Sequence, residues 1–104
     1  MDTRVKVQVD EDLSDLIPDF LARKHHDLET IRDWAAPRNY ADIGRIGHRL
    51  KGDGGAYGLE RISEVGIQLE QAAGRRDDTA IGSLAAELLD YLDHIDIVYC
   101  AMEE

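Results

Sequence analysis

The sequence predicts an all-α protein: an antiparallel up-and-down four-helix bundle with a short extra helix at its N-terminal end. Three observations predict it. Apolar residues recur at a helical period through four successive segments. Proline, glycine and capping residues separate those segments by turns of a few residues. The chain of 104 residues suits one domain with one modest core, and no repeat, low-complexity stretch or linker marks a second.

Taken in order, Val5, Val7 and Val9 alternate with polar residues as in a strand. No partner strand is evident, so residues 1–9 read as an extended tail ahead of a bundle domain over 10–104. From Asp10 a helical pattern runs through Leu13, Leu16, Ile17, Phe20, Leu21, Leu28, Ile31 and Trp34. Asp10 and Asp12 suit the positive start of a helix. Pro18 cannot donate to the carbonyl of Ser14, which predicts a short helix near 11–17 and a longer one near 18–35. Pro37 bars further helix, and Arg38-Asn39 makes the turn.

Asn39 caps a helix over about 40–56, with Tyr40, Ile43, Leu50 and Tyr57 inward, Gly47 and Gly54 in the same stripe, and Gly58 as terminator. The next helix turns Leu59, Ile62, Val65, Leu69 and Ala72 or Ala73 inward and ends near Gly74-Arg75-Arg76. Asp77 or Asp78 caps the last helix, whose apolar face is Ile81, Leu84, Ala85, Leu88, Leu92, Ile95 and Tyr99. Trp34 and Tyr91 are packing residues by this reading, and Cys100 is a small buried apolar residue near the end of that helix.

Composition excludes several classes of function. A net charge of −10 argues against nucleic acid, which needs clustered Lys and Arg. No apolar run approaches the roughly 20 residues of a membrane span, and no basic-then-apolar signal opens the chain. A single cysteine forbids an internal disulfide, so a cytoplasmic location is expected; a monomer is expected as well. Met1, and an end soon after the last helix, favour a complete small protein. Neither nucleotide-binding glycine pattern is present, so the chain is no complete kinase.

Six of the nine glycines fall between Gly44 and Gly58, around His48. An interior helical glycine costs about 1 kcal/mol relative to alanine, so several of them need an offset. Residues three and four apart share a helix face; for His48 these are Gly44, Arg45, Lys51, Gly52 and Gly55. Residues 38–55 also carry four cations, Arg38, Arg45, Arg49 and Lys51, against Asp42 and Asp53, on an otherwise acidic chain. This pattern predicts an imidazole with no bulky neighbour above or below it, exposed to an acidic or phosphorylated partner.

A neutral imidazole, with an unperturbed pKa of about 6.5, is a good nucleophile near neutral pH. Phosphoryl transfer asks for in-line approach and charge stabilisation, and little else of the protein. Lys51, one turn away, supplies that charge, while Gly52 and Gly55 admit a partner's loops. A metal site built from His25, His26, His94 and His48 is disfavoured, because no inward-facing Glu-x-x-His pair occurs.

His48-Arg-Leu50-Lys51-Gly52, followed by Tyr57-Gly58, is similar to the signature of histidine-containing phosphotransfer domains. Asp15-Leu-Ile-Pro-Asp-Phe-Leu21 resembles that family's entry into its long helix, and Leu69-Glu70 with Ala72 and Ala73 resembles the helix after the motif. The likeness covers roughly residues 9–100. It implies a four-helix bundle whose exposed histidine, His48, takes phosphate on Nε2 from a kinase or a receiver-domain aspartate and passes it on. It also implies a carrier that is no complete enzyme, with no cofactor of its own and Mg²⁺ on the receiver. Arg45 and Arg49, with Gly44, Gly52 and Gly55, would form the docking face. Some family members place a glutamine where Gln68 stands, hydrogen-bonded to the histidine or its phosphate. Asp53 departs from the pattern, where a small hydroxyl residue is common; a modest effect on partner choice is expected. The alternative is an interaction module that docks a receiver through the same face without transfer.

Overall fold

A computed structural model describes residues 4–33 and 39–101. The elements run β1 (Val5–Asp10), a single 3-10 turn (Glu11–Leu13), α1 (Ile17–Asp33), α2 (Tyr40–Ala56), α3 (Glu60–Gly74), α4 (Asp78–His94) and β2 (Ile95–Cys100). The expectations for Trp34, Pro37, Arg38, the first three residues and the last three lie outside the described residues. Among the described residues no helix is long and apolar enough to cross a membrane.

The helices form where their stripes and caps direct. Asn39 accepts a hydrogen bond from the Asp42 amide at the start of α2, and Asp77 accepts from that of Ala80 at the start of α4. Gly58 takes a φ of 74°, the left-handed conformation that ends α2. The core holds Ile17, Phe20, Leu28 and Ile31 of α1, Ile43, Ile46 and Leu50 of α2, Leu59, Ile62, Val65 and Leu69 at and within α3, and Ile81, Ala85 and Leu88 of α4. Each helix touches two others: α2 lies closest against α3, α1 meets α4, α3 meets α4, and α1 meets α2 only slightly. A helical bundle results.

Glycines explain the tight α2–α3 seam. A Cβ on Gly47 would lie 2.8 Å from both the Glu70 nitrogen and the Gly66 oxygen, and one on Gly54 would lie 2.5 Å from the Ser63 nitrogen. From the other side, a Cβ on Gly66 would lie 2.5 Å from the Lys51 nitrogen. The two backbones approach as closely as they do because no side chain stands between them.

Three expectations are corrected. Residues 5–9 are not a free tail: β1 pairs in parallel with β2, from Val5 opposite Ile95 to Asp10 opposite Cys100, and Val9 is buried. The last helix does not continue to Tyr99 but stops at His94, with Ile95 already extended at ψ 145°. Ile95, Ile97 and Tyr99 satisfy a strand's alternation as well as a helix's stripe, and their β-branched and aromatic types favour the strand. Cys100 accordingly sits partly buried on β2. Finally, 11–17 is no helix beyond the 3-10 turn. Pro18 falls in the first turn of α1, where its missing N–H costs nothing.

Candidate functional site

The close α2–α3 seam sets where His48 stands. Gly47 fits against the α3 backbone, so the next residue on α2 lies at the outer edge of the seam. The His48 side chain is 69% exposed. Its Nδ1 lies 3.1 Å from Glu70 Oε2, across the seam on α3. An ionised carboxylate only accepts, so Nδ1 must carry the hydrogen. The Nε2 lone pair is then left free and points away from Glu70.

The surroundings of that nitrogen are open. A Cβ on Gly52 or Gly55 would meet nothing within 4 Å, and one on Gly44 would meet only the Ala73 Cβ, at 3.8 Å. Lys51 and Arg49 are exposed, and neither has a carboxylate in ion-pair range among the described residues. Arg45 is exposed too but pairs with Asp42. The Lys51 carbonyl accepts from the Ser63 hydroxyl at 2.8 Å, fixing that turn of α2 to α3. Beside the site, between α1 and α2, runs an open groove of about 740 Å³ lined by His26, Asp27, Thr30, Arg45, His48 and Arg49.

Gln68 is not at this site. It lines a separate groove with Gln71, Arg75, Ala80 and Ser83, toward α4. Two residues along a helix is a turn of about 200°, so Gln68 and Glu70 face nearly opposite ways. What singles out Glu70 is a contact seen only in the structure: Gly47 and Gly66 let the helices touch, and Glu70 follows Gly66 by one turn.

Two of the other histidines, His25 and His94, are engaged elsewhere. His25 lies between Glu29 Oε1, at 2.9 Å from Nδ1, and Asp93 Oδ1, at 3.2 Å from Nε2. His94 Nδ1 lies 2.7 Å from the Asp90 carbonyl. His26 is exposed in the groove beside His48. Among the described residues no three His, Cys, Asp or Glu side chains gather to hold a metal. The arrangement thus offers at His48 an exposed imidazole in a defined tautomer, with an ammonium one turn away that has no ion-pair partner among the described residues.

Comparison with known families finds a match to the Hpt domain over residues 15–97, and the chain belongs to that family. Hpt domains are phosphocarriers of two-component signalling rather than enzymes in the usual sense. Comparison with curated proteins and with solved structures gave no significant match.

Proposed function

We propose that this Hpt domain is a phosphorelay carrier in which His48 accepts a phosphoryl group on Nε2 and exchanges it with the aspartate of a receiver domain. One observation carries the reading: Nε2 is the open nitrogen, because Glu70 holds Nδ1. In the forward step Nε2 attacks phosphorus in line as the bond from phosphorus to the aspartyl oxygen breaks, and the carboxylate leaves. The ring, still carrying its Nδ1 hydrogen, gains positive charge, which the Glu70 carboxylate offsets. Lys51 offsets the negative charge of the transferring group, and its unpaired state leaves its ammonium available.

Arg45 and Arg49 orient the acidic receiver, and Gly44, Gly52 and Gly55 let its loops approach. Mg²⁺ belongs to the receiver. The four helices run antiparallel, up and down, in a monomer that works in the cytoplasm. A histidine kinase is the other class of donor consistent with the site.

The test is transfer from a phosphorylated receiver domain. Acid-labile, base-stable phosphate on the chain is expected, and none on His48→Gln, with an unchanged melting temperature because an exposed residue contributes little to packing. Labelling of the variant would move the acceptor to another histidine, His26 first. Docking without any labelling would make the face an interaction module.

A further inference from the structure

Lys24 stands where the core stripe of α1 calls for an apolar residue. Phe20 and Leu28, one turn to either side of it, are both fully buried. Among the described residues Lys24 is the one charged side chain in the core, 9% exposed. Its ammonium lies 3.1 Å from Asp53 Oδ2 on α2 and 5.5 Å from the centroid of the Phe20 ring. The Phe20 ring in turn lies 4.6 Å from that of Tyr57. Phe20 and Lys24 are one turn apart on α1, and Tyr57, the C-cap of α2, follows Asp53 by one turn. The two helices therefore meet through two rungs, one aromatic and one ionic.

These rungs fall on the weakest part of α2. Between Gly52 and Ala56 three residues are glycine, and Asp53 is the only side chain larger than a methyl. Toward α3 this stretch is held at Gly54, while a Cβ on Gly52 or Gly55 would meet nothing within 4 Å. Along their whole length α1 and α2 meet only slightly. A buried ammonium is no gain in stability over a well-packed apolar residue, so stability alone does not account for Lys24.

We propose that Lys24 and Asp53 are positioning residues for partner docking: their ion pair holds the last turns of α2 helical, keeping the open face at Gly52 and Gly55 in shape for a receiver domain. This rests on the phosphocarrier reading. The pair touches neither His48 nor Lys51, whose turns are fixed to α3 by Gly47, Gly66 and the Ser63 hydroxyl. Its loss therefore acts on docking rather than on the chemical step.

Two variants test it. Lys24→Met fills the stripe without charge and leaves Asp53, 42% exposed, to water. Asp53→Asn keeps the shape and removes the charge. In either, amide exchange at residues 52–57 is expected to speed about tenfold while the core of α3 keeps its protection. In transfer from a phosphorylated receiver, KM rises about fivefold and kcat stays within about twofold. The double variant is no worse than either single one, because both remove the same pair. A merely structural pair would lower the melting temperature and leave KM of the folded protein unchanged; that result, or additive effects, would overturn the proposal. Should the wild-type chain take up no phosphate, the carrier reading fails instead. Exchange at 52–57 and receiver affinity without transfer then still decide the role of the pair.

Discussion

Helix α2 carries two kinds of glycine, and the difference between them separates fold from function. Gly47 and Gly54 face α3, where any Cβ would collide with backbone. Gly52 and Gly55 face outward, where a Cβ would meet nothing within 4 Å. Both kinds cost the helix the same intrinsic propensity, about 1 kcal/mol each. At the seam the cost is offset inside the chain, by the close approach at which Leu50 and Leu69 are fully buried and Glu70 reaches His48. On the open side nothing among the described residues offsets it. A residue that weakens a helix and gains no packing in return points to something that comes from outside.

The largest effect should come from filling the seam. Gly66→Ala places a methyl 2.5 Å from the Lys51 nitrogen and 2.6 Å from the Gly47 oxygen. Backbone cannot rotate aside as a side chain can, so α2 and α3 must separate. A loss of about 3 kcal/mol or more is expected, a large part of the roughly 5–15 kcal/mol typical of a domain. Chemical denaturation measures it directly. The same substitution should also pull Glu70 from His48 and slow transfer in whatever fraction stays folded. A Gly66→Ala protein as stable as the parent would erase the distinction between the two kinds of glycine.

Filling the open face should do the opposite to stability and still harm function. Gly55→Gln replaces the poorest helix former short of proline with a good one, at a site with free space, so the melting temperature should rise. If receiver loops approach there, the longer side chain obstructs them, and transfer should fall about tenfold or more, since small misplacements cost large factors in rate. A more stable protein that transfers worse is the signature sought. Full transfer by Gly55→Gln, with the bundle intact, would remove the docking role from this face.

How much of the structure is legible in the sequence depends on the range of the interaction. The helices, their caps at Asn39 and Asp77, and the buried stripe of α2 follow from local pattern. The exposure of His48 followed from its neighbours at three and four residues. Glu70 and Gln68 were not separable, because the register between two helices rests on which glycines touch, a contact between distant residues. Lys24 was invisible for a related reason: a lysine inside an apolar stripe looks like a gap until its partner, Asp53, is seen across the helix pair. The strand pair is not legible in the sequence because β1 and β2 lie at opposite ends of the described chain, and parallel strands need a long connection, here the entire bundle.

The smallest effect is the most discriminating. Alanine at Gly52 or Gly55 adds one methyl into open space, on backbone that is already helical. Each should stabilise the protein by up to about 1 kcal/mol, partly by narrowing the unfolded ensemble. The two methyls lie one turn apart and do not press on each other, so the gains should nearly add. For a domain of this size the double variant should melt several degrees higher, at about 4–8 °C per kcal/mol. Transfer should drop only slightly, because a methyl barely alters the approach. Comparing Gly55→Ala with Gly55→Gln then isolates bulk from helix propensity, since both stiffen α2 and only glutamine intrudes. If alanine slows transfer as much as glutamine does, the open glycines serve flexibility of α2 rather than access to His48. If alanine stabilises and transfer holds, access is what the open side of the helix provides.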